Sequence, residues 1–137
     1  MEDRTLHLVL VDDDEVDVIT VQRAFASAQT KTRLYVARDG LEALALLRGG
    51  TVPKARRIMV LDLEMPRMNG LELLRALRAD PALHTLPVIV MTTSDEDRDR
   101  VEAFQLNVAG YMVKPSNYQA FAEAMVVINT YWSLMEV

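Results

Sequence analysis

The sequence predicts an α/β fold: one doubly wound parallel sheet made of five units, each a strand followed by a helix. Short runs that are almost wholly apolar alternate along the chain with amphipathic segments. Strands that are buried on both faces read as continuous apolar runs, because helices cover both sides of a parallel sheet. The chain has 137 residues, half of them hydrophobic, which suits one domain with one core.

The first three units follow from local patterns. Apolar runs rich in strand-forming residues predict strands at 6–11, 32–37 and 58–61. Amphipathic segments predict helices at 15–28, 41–48 and 71–79. Gly49-Gly50 stops the second of these helices and Asp80-Pro81 stops the third, since glycine and proline interrupt helices. One face of the first helix holds Val16, Ile19, Thr20, Arg23 and Ala24.

The last two units repeat the pattern after the third helix. They predict strands at 87–91 and 110–113 and helices at 96–106 and 117–135. Crossovers between parallel strands are right-handed, so few arrangements of these elements are open.

The charge of the chain is concentrated in one place. It has 20 acidic and 15 basic residues and a net charge of −5. Five of the acids lie directly behind the first strand: Asp12, Asp13, Asp14, Glu15 and Asp17. The rest of the chain is neutral, which indicates a specific acidic site and argues against non-specific nucleic-acid binding. The chain has no cysteine, so thiolate chemistry and Cys-type zinc sites are excluded.

The residues that follow the strands predict a phosphoryl-transfer site. Ligands of such sheets bind beyond the carboxyl ends of the strands. There the sequence places the acids after strand one, Asp62 after strand three, Thr92 after strand four and Lys114 after strand five. Carboxylates at adjacent strand ends suit Mg²⁺, and an aspartate can attack phosphorus. Mg²⁺, a lysine and a hydroxyl are sufficient to stabilise a transferring phosphoryl group.

The acids of the first strand end divide by spacing. Asp14 directly precedes a helix and has Asp17 three residues on, the N-cap and N3 spacing, so these two are expected to start the helix. Proximity to the metal is the alternative for Asp14. Glu15 is expected in the first turn, where the helix dipole favours an acid.

Four motifs in order resemble the CheY-type receiver domain of two-component response regulators: "VDDD", "LDLEMPRMNG", "VMTTS" and "YMVKP". The resemblance covers essentially the whole chain, residues 1–137, and implies the flavodoxin-like sheet order 2-1-3-4-5. It also implies a phosphohistidine on a sensor histidine kinase as the phosphoryl donor. Phosphorylation would then bias a pre-existing two-state equilibrium.

The resemblance assigns a role to each matching residue. Asp62 would be the phosphoacceptor, and Thr92 and Lys114 would contact the phosphoryl group. The Mg²⁺ (or Mn²⁺) ligands would be Asp12, Asp13, Asp62 and the backbone carbonyl of Glu64. Tyr111 would change rotamer as Thr92 moves, and the Lys114–Pro115 peptide bond is expected to be cis.

Two other functions compete with this reading. In a haloacid-dehalogenase-like phosphatase, Asp12 would be the nucleophile and Asp14 the acid/base. That reading lacks the acidic pair expected after Lys114, and it leaves Asp62 unexplained. A degenerate receiver acting as a scaffold is disfavoured, because Asp62, Thr92 and Lys114 are all present. We therefore expect a signalling protein and no enzyme beyond self-phosphorylation and dephosphorylation.

The final helix has two apolar sides. Its core side would hold Tyr118, Phe121, Ala122, Met125, Ile128 and Trp132. The second side exceeds what a surface helix needs and favours a homodimer interface at Ala120, Ala124, Val127, Tyr131, Leu134 and Met135. Docking of the kinase alone and incidental apolar surface are the alternatives. The run "TTS…ED…V…LNV…Y" with a later "N…F…YW" is similar to stand-alone, often dimeric receivers that serve bacterial phytochrome histidine kinases.

The ends of the sequence add three expectations. The N-terminus lacks a basic leader with an apolar segment, and no apolar run has membrane-spanning length, so a cytoplasmic location away from membranes is expected. No output or DNA-binding domain is expected after the fifth helix.

Overall fold

Five parallel strands form one sheet in the order β2-β1-β3-β4-β5, which confirms the predicted fold class. The structure is a computed structural model that describes residues 3–137. The strands are β1 (His7–Val11), β2 (Arg33–Ala37), β3 (Arg57–Leu61), β4 (Val88–Thr92) and β5 (Gly110–Val113). Each lies within one residue of its predicted bounds.

Within the described residues, five helices cover both faces of the sheet. They are α1 (Glu15–Ser27), α2 (Gly40–Arg48), α3 (Gly70–Ala79), α4 (Asp97–Gln105) and α5 (Tyr118–Leu134). The apolar residues of α2, α3 and α4 pack on one face together with Val9 and Val11. Those of α1 and α5 pack on the other face with Leu8 and Leu10. Alternate residues of β1 thus point to opposite cores, as the period of a strand requires.

Helix α1 packs on the sheet with a different face from the one grouped in the sequence. Its buried residues are Asp17, Val18, Val21 and Phe25. Val16 instead has half of its surface exposed. An acid therefore lies on the core-facing stripe, beside the carboxyl end of β1.

The core side of α5 is largely as predicted, because Phe121, Met125 and Ile128 are buried. Tyr118 is wrongly assigned to the core and is 52% exposed. It is the first residue of the helix and lines the cleft at the carboxyl end of the sheet. Asn129 was not predicted to be buried; its side chain bonds the hydroxyls of Thr30 and Thr32.

The register of the sheet brings the strand ends together. Val11 lies opposite both Ala37 and Leu61, and Thr92 lies opposite Val113. The next residue of each strand extends this edge, since the Asp62 N–H donates to the Val11 carbonyl at 2.9 Å. No helix within residues 3–137 is long and apolar enough to cross a lipid bilayer.

Candidate phosphoryl-acceptor and metal site

Three carboxylates converge at the carboxyl edge of the sheet. Asp12, Asp13 and Asp62 each offer an oxygen within 4.8 Å of the others. Asp12 and Asp62 are buried, at 1% and 6% exposure, whereas Asp13 is open to solvent. A small cluster of carboxylate oxygens with one solvent-facing side fits a hard divalent cation that keeps several water ligands.

Backbone N–H groups orient the two buried acids. The Asp14 N–H donates to Asp12 Oδ1 at 2.9 Å, and the Glu64 N–H donates to Asp62 Oδ1 at 3.1 Å. In both acids the second oxygen, Oδ2, is left to accept from Lys114. Each carboxylate is thus held by the loop that follows its strand. The predicted metal ligand on the Glu64 carbonyl stays a prediction.

Lys114 is surrounded by three carboxylates. Its Nζ donates to Asp12 at 2.9 Å, to Asp62 at 3.1 Å and to Asp17 at 2.6 Å. Burial alone would lower the pKa of Lys114, but the hydrogen bond to Asp17 and the charges of Asp12 and Asp62 outweigh burial and hold this pKa above its ordinary value. The lysine is therefore a permanent cation of the site.

The buried acids resist ionisation in spite of Lys114. Burial raises the pKa of Asp12 to about 7, although the Asp14 N–H and Lys114 both act to lower it. Burial also raises the pKa of Asp62, against the opposing effects of Lys114 and the Glu64 N–H. One ammonium is thus too little positive charge for these carboxylates, and a divalent cation would supply the remainder.

Asp17 accepts the shortest hydrogen bond of Lys114, and the sequence did not predict that Asp17 would bind this lysine. Asp14 does cap α1 as predicted, because its side chain accepts from the N–H groups of Val16 and Asp17. The Asp17 carboxylate, however, turns to Lys114, 97 residues away in the chain. One signal was available: Asp17 is the acid that shares a helical face with Val18, Val21 and Phe25.

The two predicted switch residues are linked through Ser94. Thr92 is fully buried, and its hydroxyl accepts from the Ser94 N–H at 3.3 Å. The Tyr111 hydroxyl donates to the Ser94 carbonyl at 2.9 Å. The Thr92 hydroxyl is also close enough to Asp62 to lower its pKa. The structure thus connects Tyr111 to the acid site by way of Ser94 and Thr92.

The Lys114–Pro115 peptide bond is trans, so the cis prediction is wrong: within residues 3–137 all peptide bonds are trans. The trans isomer is the favoured one by about 0.5–1 kcal/mol before proline. With this trans bond Lys114 Nζ already reaches three carboxylates, so the lysine needs no cis bond to aim it.

The site opens into a surface cleft lined by Asp13, Asp17, Asp62, Glu64, Thr93 and Lys114, among others. Across this cleft the Thr93 hydroxyl donates to Glu64 Oε2 at 2.9 Å. The cleft gives a small anionic group access to Asp62 beside the lysine.

Comparison with known proteins gives the class to which this fold and site belong. Residues 8–126 match the model of the response regulator receiver domain. The chain therefore belongs to the response regulator receiver family, and it is a regulatory domain of that family.

Individual relatives agree with this assignment. Response regulator Rcp1 of Synechocystis sp. is 30% identical over 128 residues, which are 91% of this chain and 87% of Rcp1. Chemotaxis protein CheY of Pseudomonas aeruginosa is 44% identical over 93 residues, 67% of this chain and 71% of CheY. The crystal structure of the phosphorylated cyanobacterial phytochrome response regulator RcpA superposes with a TM-score of 0.86 at 30% identity, covering 97% of each chain.

Proposed function

We propose that Asp62 accepts a phosphoryl group from a sensor histidine kinase in a Mg²⁺-dependent reaction, and that this modification switches protein–protein contacts. The observation that carries the proposal is the placement of Asp62. Its Oδ2 faces the Lys114 ammonium at 3.1 Å, and its carboxylate shares a possible cation site with Asp12 and Asp13. A nucleophile, a fixed positive charge and a cation site thus meet at one point of the cleft.

The chemistry is an in-line displacement. Asp62 Oδ2 forms a bond to phosphorus while the P–N bond of the donor phosphohistidine breaks, and the departing imidazole keeps that electron pair. Lys114 would follow the charge onto the phosphoryl oxygens, and the buried Thr92 hydroxyl, which is close to Asp62, would donate to one of them. A cation bound by Asp12, Asp13 and Asp62 would add positive charge to the equatorial oxygens.

Similar proteins support the cation and the partner class. A solved structure of Rcp1 is the Mn²⁺-bound form, and it covers 96% of this chain at 28% identity. RcpA is a cyanobacterial phytochrome response regulator and AtBRR is a bacteriophytochrome response regulator, and each is 30% identical to this chain. We therefore propose a phytochrome-type histidine kinase as the donor and Mg²⁺ or Mn²⁺ as the cation. The cytoplasmic location stays a prediction.

The phosphorylation test uses intact mass. Wild-type protein incubated with acetyl phosphate and Mg²⁺ is expected to gain one phosphoryl group, and Asp62→Asn is expected to gain none. Asp97→Asn, which removes an exposed acid of α4, is the matched control and should be labelled like wild type. A phosphatase of the haloacid-dehalogenase type would instead release free phosphate over many turnovers and lose activity in Asp12→Asn. Labelling of Asp62→Asn would refute the assignment.

We also propose that α5 forms a homodimer interface. Of the residues predicted there, Val127, Tyr131 and Leu134 are 67%, 54% and 71% exposed. Ala120 and Ala124 are partly buried on the same helix. Met135 is also partly buried, but it follows the last residue of α5 and has an extended backbone, so its predicted place on the helix is wrong. Exposed apolar side chains in such a row favour association, because burying them removes apolar area from water.

Light scattering tests the dimer. Wild type at tens of micromolar is expected to have the mass of a dimer, and Val127→Glu the mass of a monomer, because the new charge would be buried in the interface. Gln119→Glu adds the same charge on the polar strip of α5 and should remain dimeric. A monomeric wild type, with and without phosphorylation, would refute the interface.

A further inference from the structure

We infer that Asp17 is a positioning residue that holds Lys114 in the unphosphorylated arrangement and so competes with a phosphoryl group on Asp62. The inference rests on the function proposed above for Asp62. Of the three carboxylates around Lys114, Asp12 and Asp62 belong to the cation site, whereas Asp17 does not. Its contact is nevertheless the shortest of the three.

The donors of Lys114 are fully used. An ammonium has three N–H groups, and here they go to Asp12, Asp17 and Asp62. The bond to the reacting group, Asp62, is the longest at 3.1 Å, and the bond to Asp17 is the shortest at 2.6 Å. Lys114 therefore lies nearer to Asp17 on α1 than to Asp62 Oδ2, the atom to which a phosphoryl group would be attached. A shift of the ammonium toward that group would loosen the contact with Asp17.

The negative charges around Lys114 also make Asp17 a competitor of a phosphoryl group on Asp62. Asp12, Asp17 and Asp62 contact the single ammonium of Lys114, and Asp13 lies beside Asp12 and Asp62. Phosphorylation of Asp62 replaces one carboxylate charge by the larger negative charge of a phosphoryl group. The fixed charge of Asp17 opposes that increase. Asp17 cannot turn away easily, because its side chain is 9% exposed and α1 packs it against the sheet.

The position of Asp17 in α1 stabilises its carboxylate when Lys114 moves away. It lies in the first turn of α1, where the helix dipole stabilises a carboxylate even without Lys114. Losing Lys114 to the phosphoryl group thus leaves Asp17 with some compensation. Asp17 thus binds Lys114 when Asp62 is unmodified and can release the lysine when a phosphoryl group takes its place.

The inference predicts opposite signs for two ligands. Removing the charge of Asp17 should weaken Mg²⁺ binding a few-fold, because the site becomes less negative. The same change should strengthen binding of beryllofluoride, a phosphoryl mimic, by about tenfold at saturating Mg²⁺, the order of one charge-assisted hydrogen bond. A role for Asp17 in folding alone would weaken both or neither.

The experiment measures both affinities by calorimetry in Asp17→Asn and Asp17→Ala. The alanine variant also removes the oxygen that could still accept from Lys114. Glu15→Gln is the matched control: it neutralises an acid of the same helical turn that pairs with Arg38. Its affinity for beryllofluoride should remain within about twofold of wild type. The gain in Asp17→Ala should vanish in the Lys114→Met background, since the competition acts through the lysine.

The outcomes separate the two proposals. Binding of beryllofluoride to wild type but not to Asp62→Asn supports the proposed function, and only the Asp17 variants then decide the competition. Unchanged or weaker beryllofluoride binding in folded Asp17→Asn and Asp17→Ala would overturn the role of Asp17 while leaving that of Asp62 intact. Equal binding by wild type and Asp62→Asn would overturn both.

Discussion

Replacing Asp12 by asparagine should change how the stability of the metal-free protein depends on pH. Asp12 is 1% exposed, and burial raises its pKa from 3.8 to about 7. A raised pKa means that the folded state binds the proton more tightly than the unfolded state. Ionisation of Asp12 therefore destabilises the fold, and this loss develops as pH rises from about 4 to about 7.

The magnitude follows from the shift. The pKa of Asp12 rises by about three units, and each unit corresponds to about 1.4 kcal/mol, so the fully ionised acid lowers the free energy of unfolding by about 4 kcal/mol. Asparagine has nearly the same shape and can still accept from the Asp14 N–H. Asp12→Asn and wild type should thus be about equally stable near pH 4, and the variant should be more stable by up to about 4 kcal/mol near pH 8.

Urea unfolding in the presence of a chelator measures this difference. Free energies of unfolding of wild type and Asp12→Asn are compared at about pH 4.5, 6 and 8, so that titrating groups distant from this site cancel. Asp97→Asn is the control for neutralising an acid at an exposed position, and the difference for Asp12→Asn near pH 8 should clearly exceed the difference for this control. A flat difference for Asp12→Asn, or one that grows as pH falls, would refute the reasoning.

Three further predictions concern stability. Gly70→Ala should cost about 2–3 kcal/mol, because the added Cβ would lie 2.5 Å from the Asp62 carbonyl oxygen. Gly110→Ala, whose Cβ has its nearest contact at 3.8 Å, should cost less than about 1 kcal/mol in the same urea titration, and equal costs would contradict the steric argument. Asn129→Ala should cost about 2 kcal/mol by urea unfolding, because it leaves the Thr30 and Thr32 hydroxyls without their buried partner, and a neutral effect would contradict this. Mg²⁺ at about 100 times its dissociation constant should stabilise wild type by about 2.7 kcal/mol in thermal unfolding, and equal stabilisation of Asp62→Asn would argue against the carboxylate site.

Most of the site could be predicted because ligands of parallel sheets bind beyond the carboxyl ends of the strands. Apolar runs locate the strands, and parallel strands bring their following residues to one edge. Asp12, Asp62 and Lys114 were found in this way, and the structure places them in contact through the lysine. That part of the site depends on topology, which the alternation of strands and helices already specifies.

The contacts that depend on helix rotation could not be predicted in the same way. The role of Asp17 required knowing that α1 turns Val18, Val21 and Phe25 toward the sheet, whereas the local pattern also allowed a face with Val16. The run of acids after β1 also hid the role of Asp17, because an acid at the third position of a helix is already explained by capping. The assignment of Tyr118 to the core was wrong for a related reason. Helical periodicity predicts which face a residue lies on, but it does not show where the helix extends past the core.

The ionised acids of this site lower the free energy of unfolding of the metal-free protein. Burial raises the pKa values of Asp12 and Asp62, so their ionised forms oppose folding, and Lys114 offsets only part of this. Any ligand that adds positive charge at this edge stabilises the folded state by linkage. In the mechanism that we propose, a phosphoryl group on Asp62 would draw Lys114 toward itself. Thr92, Ser94 and Tyr111 form a hydrogen-bonded path from that point to β5. The same unbalanced charge that lowers the stability of the metal-free protein would therefore make its conformation sensitive to the proposed modification of Asp62.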